Sequence, residues 1–287
     1  MKEESIRRQV EGCNSTESQM FGWDLPDTQG QDKGNLSVHT IPKLWKQPHW
    51  RILCLHGIEK DQTENFRSQM AALLEAGLQP VSFEKGFESL LSGALSQPMF
   101  TVTFDDADAS VFENALPVLE SLGIRAFFYI APDYIQKGTC YRDTPGRPAL
   151  SWERLREWRD RGHSVGSHTL THANLKRSTP EVCLQELRDS KALLEDQLQQ
   201  AIDHFSYPWG QHSPGTYAAV KSSGLYASAA TIDCGQMRLG HDPFLLRRDV
   251  CGPAMSVEEM LKRMRLADNP VYRCLTRVRR LFLKVGE

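Results

Sequence analysis

The chain has 287 residues, of which 40% are hydrophobic and 24% charged, as in an ordinary folded globular protein. The 34 Lys and Arg nearly balance the 36 Asp and Glu, so the net charge of −2 excludes a basic field over the whole chain for nucleic acid. No apolar run approaches the roughly 18 residues needed to cross a bilayer, and the amino terminus lacks the apolar segment of a signal peptide.

Seven scattered cysteines without a C-x-x-C pair argue against a disulfide framework and against a cysteine-based zinc site. We therefore expect a reducing, cytoplasmic location and no nucleic-acid partner.

Residues 1–44 are polar and lack apolar periodicity, which predicts a loosely docked N-terminal arm. From residue 45 onward, short apolar runs alternate with segments of helical spacing that end near a glycine. The runs predict strands over 51–55, 81–83, 100–104, 126–130, 163–167, 205–207 and 227–232. The segments between them predict helices that end near Gly77, Gly123, Gly162, Gln200 and Gly224. This alternation indicates parallel βα units, in which functional residues gather where strands end.

Two carboxylates, Asp105 and Asp106, directly follow the predicted strand 100–104. Adjacent residues at a strand end point in different directions, so one carboxylate can bind a metal ion while its neighbour faces a substrate. An Asp-Asp pair alone is more often a solvated turn.

Two histidines, His168 and His172, stand four residues apart just after another predicted strand. A helical turn or a compact loop brings such a pair within reach of one metal ion, and neutral imidazole suits Zn²⁺, Co²⁺ or Ni²⁺. A lone pair at this spacing is a weak signal. One Asp and two His together form a three-ligand set with open positions, which is typical of a catalytic metal.

Three segments, in order and spacing, resemble the first three motifs of the NodB-type polysaccharide deacetylases, carbohydrate esterase family 4. They are T-F-D-D at 103–106, H-T-L-T-H at 168–172 and F-S-Y-P-W-G at 205–210. The resemblance extends from about residue 53 to Val250. It implies a distorted (β/α) barrel of about seven parallel strands over residues 45–261.

The resemblance also implies the chemistry. Asp105 would be the general base that activates a metal-bound water, and Asp106, His168 and His172 would hold a divalent metal, usually zinc, with Co²⁺, Ni²⁺ or Mn²⁺ as alternatives. The backbone N–H of Trp209 would stabilise the oxyanion. The implied reaction removes an N-acetyl group from an amino sugar in a glycan, glycolipid or sugar precursor.

The sequence departs from the family pattern at three places. Ala107 replaces the Gly that usually follows the Asp pair, and Ser206 replaces the Arg that usually pairs with the base. The F-x-Y-P-x-G form is similar to a sub-group that also lacks this Arg, and residues 242–248 resemble its D-P-F-x-L-P-R stretch. We therefore expect Arg248 to lower the pKa of Asp105 in place of the missing Arg. The late L-x-H motif, which supplies the general acid in many relatives, is not evident, and His56, His212 and His241 are candidates, with His56 favoured by its strand-end position.

Substrate binding is assigned to the third motif and its flank. Tyr207 and Trp209 are predicted to stack on a sugar ring, with Pro208 and His212 bordering the same site. Trp152 and Trp158 have the spacing of a helix face and are expected in the core.

Residues 262–287 carry eight basic and two acidic side chains together with apolar ones. A basic amphipathic helix of this kind can lie on an anionic membrane at the inner face of the cell, or it can pack on the barrel and expose its charges to water.

Two other functions stay open. The same metal chemistry can serve an amidohydrolase acting on a non-sugar C–N bond. A catalytically silent binding module that keeps the fold is also compatible with the altered third motif.

Overall fold

The computed structural model describes residues 45–139 and 148–272, so the predicted arm over 1–44 lies outside the described residues. The strands are β1 (His49–Leu55), β2 (Gln79–Pro80), β3 (Pro98–Phe104), β4 (Ala126–Ile130), β5 (Ser164–Ser167), β6 (His204–Ser206), β7 (Ser228–Ala230) and β8 (Asp249–Val250). The α-helices are α1 (Thr63–Glu75), α2 (Phe83–Ser92), α3 (Leu116–Ser121), α4 (Pro132–Lys137), α5 (Trp152–Asp160), α6 (Pro180–Leu198), α7 (Pro214–Ser222) and α8 (Val257–Leu266).

Seven strands form one curled parallel sheet in the order β7-β6-β5-β4-β3-β1-β8, and the short β2 pairs beside β3. The predicted class, a distorted (β/α) barrel of about seven parallel strands, is confirmed. All carboxyl ends of these strands lie at one end of the barrel, which is where such folds place their functional side chains.

The two edges of the sheet are joined by the chain between Leu246 and Val250. Leu246 forms a parallel bridge with Ala230 at the end of β7, and three residues later β8 pairs with β1. Arg248 lies between these two pairings. The segment that closes the barrel therefore carries this residue past the ends of the strands.

The side chains of alternate strand residues pack in two separate hydrophobic cores. Phe128 and Ile130 face the surrounding helices, while Phe127 and Tyr129 face the barrel interior. Phe83 of α2 fills that interior, with its ring centroid 4.5 Å from Phe127 and 6.0 Å from Tyr129. Helix α2 thus plugs the amino end of the barrel, below the site end.

The strand predicted over 81–83 is wrong. Ser82 accepts a hydrogen bond from the backbone N–H of Lys85 and so caps α2, which begins at Phe83. The extended pairing occurs two residues earlier, in β2. The other predicted strands are present, some shortened by one to three residues. Trp158 is fully buried and Trp152 packs against the core, as expected.

The predicted start of the basic terminal helix, residue 262, falls inside α8. Met260 and Met264 of this helix are buried in the core, and Asp268 just beyond it accepts a hydrogen bond from the buried Arg51. Residues 273–287 lie outside the described residues, so the terminal segment as a membrane-binding helix stays a prediction. In the part of the chain that is described, no helix combines the length and apolarity that a membrane crossing requires.

Candidate active site

The three sequence motifs meet at the carboxyl end of the barrel. Asp105 directly follows β3, and its N–H extends the ladder by donating to Leu55 O at 3.0 Å. His168 directly follows β5 and donates its N–H to Ile130 O at 2.8 Å. Tyr207 directly follows β6. Pairing with neighbouring strands thus fixes the point at which each motif leaves the sheet.

Asp106, His168 and His172 form a compact triad of buried ligands. Their ligand atoms all lie within 4.8 Å of one another. Oδ1 of Asp106 is 3.3 Å from Nε2 of His172 and 3.7 Å from Nε2 of His168. Ligands about 2.0–2.2 Å from a tetrahedral zinc ion stand roughly 3.4 Å apart, so these separations suit a single ion.

The donor set fits a divalent cation. Oδ1 of Asp106 is buried without a hydrogen-bond donor among the described residues. Nδ1 of His168 is 2.8 Å from Ser206 O, so it carries the proton and leaves Nε2 with a lone pair directed at the triad. Burial lowers the pKa of His168 and raises that of Asp106. A cation held by the triad would satisfy the buried carboxylate and the imidazole lone pairs together.

The turns that carry these ligands contain strained backbone. Asp106, Thr169 and His172 have φ of 77°, 64° and 59°, a region that non-glycine residues rarely occupy. Such residues cost about 1–3 kcal/mol each and persist where the surroundings over-determine them. The positive φ falls on Asp106 and not on Ala107, whose methyl is fully buried. Alanine at 107 is therefore compatible with the turn.

Asp105 forms a bidentate ion pair with Arg248. Nη1 of Arg248 donates to Oδ1 at 2.6 Å and Nη2 donates to Oδ2 at 2.7 Å, and both residues are buried. Burial alone would raise the pKa of Asp105, but the adjacent guanidinium of Arg248 holds that pKa well below its usual range. Asp105 is accordingly ionised at any physiological pH.

Ser206 joins this ion pair to the metal triad. Its hydroxyl accepts from Nη2 of Arg248 at 2.7 Å, and its carbonyl faces Nδ1 of His168 at 2.8 Å. The guanidinium is further held by Thr231 O, which accepts from Nε at 2.9 Å, and by Thr103 Oγ1 at 3.2 Å. The sequence identified Ser206 only as a departure from the family pattern. Its small side chain leaves room for an arginine that arrives from the closing segment.

Trp209 lies beside the triad in a left-handed conformation, with φ 54° and ψ 13°. Its ring contacts His172 edge to face, with the centroids 4.2 Å apart, and it is partly exposed. Tyr134 of α4 lies against His172 as well, at 6.0 Å between centroids, and is also partly exposed. Two aromatic side chains thus flank the same histidine, and no motif in the sequence points to Tyr134.

The three candidate histidines for the general acid lie in different places. His56 directly follows β1 and lies close enough to Asp105 and Asp106 to interact electrostatically with both carboxylates. His212 packs against Tyr207, with ring centroids 5.1 Å apart. His241 lies at the other end of the barrel, because nearby Met237 pairs with Trp50 near the start of β1. The candidacy of His241 is therefore wrong.

The expected stacking of Tyr207 on a sugar ring is also wrong. Its ring is fully buried and packs edge to face against Phe205, with centroids 5.1 Å apart. Pro208 is buried as well, so it forms the turn and presents no side-chain surface to a substrate. In this motif Trp209 and Gly210 are partly exposed.

The family model described as polysaccharide deacetylase matches residues 92–228. YxkH of Bacillus subtilis (strain 168), named as a polysaccharide deacetylase, is 26% identical over 211 residues, which are 71% of this chain and 72% of that protein. A poly-beta-1,6-N-acetyl-D-glucosamine N-deacetylase of Staphylococcus aureus (strain MRSA252) is 23% identical over 133 residues, which are 43% of this chain and 44% of that protein.

Two solved structures share the fold. The Streptococcus pyogenes deacetylase PplD in complex with acetate has a TM-score of 0.65 at 23% identity, covering 76% of this chain and 99% of its own. IcaB from Ammonifex degensii has a TM-score of 0.66 at 24% identity, covering 76% of this chain and 97% of its own.

The matched span begins just before β3 and runs to the start of β7, so it contains both carboxylates, both histidines and the third motif. Over residues 92–228, just under half of its length, this chain therefore matches the polysaccharide deacetylase family.

Proposed function

We propose that the protein is a metal-dependent hydrolase that removes the N-acetyl group from an amino sugar within a glycan, glycolipid or sugar precursor. The observation that carries this proposal is the position of the Asp106, His168 and His172 triad beside the ion pair of Asp105 with Arg248 at one end of the barrel. The family match over residues 92–228 and the N-deacetylase among the relatives support the substrate class.

The triad would hold one divalent ion, and zinc suits its nitrogen and oxygen ligands best. Such an ion supplies a Lewis acid that polarises the acetamide carbonyl and makes water a stronger nucleophile at neutral pH.

Asp105 would act as the general base. As water attacks the acetyl carbon, Asp105 accepts its proton, while Arg248 keeps the carboxylate ionised and oriented. The N–H of Trp209 would donate to the oxygen that becomes negative. His56 would then donate a proton to the nitrogen as the C–N bond breaks, so that acetate and the free amine leave.

The rim of the site suits a sugar. Trp209 and Tyr134 flank His172 and are partly exposed, and aromatic faces of this kind pack against the apolar face of a pyranose ring. His212, packed behind Tyr207, would border the same side.

Acetate release tests this function. The zinc-loaded protein is incubated with N-acetylated monosaccharides, oligosaccharides and glycolipids, beside Asp105→Asn and a matched surface variant, Asp189→Asn. We expect acetate from the wild type and from Asp189→Asn, and at least about 100-fold less from Asp105→Asn. A protein that binds zinc but releases no acetate from any sugar would point to the amidohydrolase on non-sugar amides or to the silent module.

We also propose a cytoplasmic location with peripheral contact between residues 262–287 and an anionic membrane. Exposed Val271 and the charges of Lys262 and Arg265 support it. Because Met264 and Asp268 belong to the folded body, the chain should be truncated after Tyr272 and compared with the full chain by cosedimentation with phosphatidylserine vesicles. Equal sedimentation of both chains would reject the contact.

A further inference from the structure

The loop that carries both histidine ligands is held at its tip by a side chain from another element. Thr171 donates its N–H to Oε2 of Glu186 at 2.9 Å and its hydroxyl to Oε1 at 2.8 Å. Both carboxylate oxygens of Glu186 are thus occupied by one residue, which immediately precedes the ligand His172.

This loop needs external restraint because its backbone is unfavourable. Thr169 is β-branched and still has φ 64°, and His172 has φ 59°. The start of α4 holds the loop from one side, since Asp133 N donates to Leu170 O at 3.1 Å. Within the loop, Thr169 Oγ1 accepts a hydrogen bond from Ala173 N at 3.0 Å. Glu186 restrains it from the side of α6.

Helix α6, which carries Glu186, is itself held in place by buried contacts. Leu187, next to Glu186, is fully buried, and its carbonyl accepts from Tyr226 Oη at 2.9 Å. One turn further on, Ser190 Oγ lies 2.8 Å from Ser167 Oγ at the end of β5, directly before His168. The helix is therefore fixed to the strand that supplies the first histidine, while Glu186 reaches the second.

We propose that Glu186 is a positioning residue of the metal centre. It holds the 169–172 loop in the strained conformation that places Nε2 of His172 3.3 Å from Asp106 Oδ1, and so sets the affinity for the divalent ion. This inference rests on the proposed function, since it requires that the triad bind a metal ion.

Zinc affinity, measured by competition with a fluorescent chelator, tests the proposal without using activity. We expect Glu186→Ala to bind zinc at least about 10-fold more weakly than the wild type, the usual effect of losing a group that orients a ligand. Glu186→Gln should recover most of the affinity, because its amide oxygen can still accept from the Thr171 N–H. The matched control is Gln185→Ala, the adjacent residue, whose side chain pairs with Asp189 on the exposed side of α6.

Variants of Thr171, which donates both hydrogen bonds to Glu186, give a second test. Thr171→Val keeps the shape of the side chain and loses one of the two hydrogen bonds, so we expect a smaller loss of affinity. Thr171→Ser keeps both bonds and should bind as the wild type does. When Thr171→Val is added to the Glu186→Ala variant, zinc binding should weaken no further, because the hydrogen bond between the two side chains is already lost in Glu186→Ala.

The outcomes separate this inference from the proposed function. If the wild type binds no zinc, the metal site itself fails. If the wild type binds zinc and Glu186→Ala binds it within twofold, even with a lowered Tm of the metal-free protein, Glu186 is only structural and the inference is overturned.

Discussion

Arg248 and Asp105 are 143 residues apart in the sequence and face each other through two parallel hydrogen bonds of 2.6 and 2.7 Å. Neither residue is a metal ligand in the triad, yet Ser206 connects the pair to His168. Asp105, the proposed base, and the triad proposed to bind the metal are therefore parts of one connected unit, built from four segments of the chain.

Replacing Arg248 should separate catalysis from metal binding. Arg248→Met leaves a buried Asp105 without its counter-charge, so burial should raise its pKa and less of it should be ionised as the base. We expect acetate release to fall about 100-fold or more, as on loss of a general base. The three metal ligands are unchanged, so the zinc content measured by mass spectrometry should stay at the wild-type level. Arg248→Lys should be intermediate, since lysine cannot form the bidentate pair. Full turnover in Arg248→Met would contradict the assigned role.

Removal of the metal should lower stability. A ligand that binds only the folded state stabilises it by about 2.7 kcal/mol at 100 times its Kd, so we expect zinc to raise the Tm by several degrees. The double variant His168→Ala, His172→Ala should show no such shift, and Asp105→Asn should keep it. Differential scanning calorimetry of each variant, with and without a chelator, measures these shifts in Tm. A shift that persists in the double variant would place the ion elsewhere.

Stability should fall on mild acidification. Burial, with nearby Arg125 and Arg161, lowers the pKa of His163 from 6.5 to about 4, and burial lowers those of His49 and His204 to about 4 as well. Because the folded pKa is the lower one, the stability is fully present above pH 6.5 and is lost as the pH falls toward 4. The loss is about 3 kcal/mol for each histidine.

His163 offers a direct check of this pH dependence. Its Nδ1 accepts from Ala126 N at 3.1 Å, and protonation would destroy that acceptor. In His163→Asn the amide oxygen can still accept but does not titrate. Urea unfolding between pH 4 and 7 should then show a free energy of unfolding that depends less steeply on pH than in the wild type. An unchanged slope would show that His163 does not contribute.

The hydroxyl of Tyr207 should be dispensable. It is buried without a hydrogen-bond partner among the described residues, so Tyr207→Phe should leave the free energy of unfolding unchanged or raise it by about 1 kcal/mol. Tyr226→Phe is the matched control, because its hydroxyl donates to Leu187 O, and we expect a loss of about 1 kcal/mol there. Urea unfolding compares the two. A large loss in Tyr207→Phe would reveal a partner for its hydroxyl.

The sequence predicted the barrel well because several buried strands are rich in apolar residues, as in 126–130, and are followed by segments of helical spacing. It failed at 81–83, where Ser82 caps a helix whose first residue, Phe83, fills the barrel interior. The segment is apolar, as a buried strand would be, but the first turn of a helix that fills the barrel interior is apolar for the same reason. A short apolar run therefore does not distinguish the two.

The sequence predicts those site residues that stand close together along the chain. Asp105, Asp106, His168 and His172 stand in short motifs, whereas the contacts of Glu186 and Ser206 arise only when distant elements meet. Tyr207 was misassigned because the motif gives the identity of a side chain and not the face of the turn on which it lies. No local pattern carries that information.

The closing segment has a consequence for how the enzyme matures. As the chain is synthesised from its amino terminus, the proposed base, the proposed metal ligands and Trp209 all emerge before Arg248. Until residues 246–250 join the two sheet edges, Asp105 has no counter-charge from Arg248. A nascent or prematurely terminated chain can therefore contain every motif while Asp105 still lacks the guanidinium that lowers its pKa. We expect deacetylase activity only once β8 has joined the sheet.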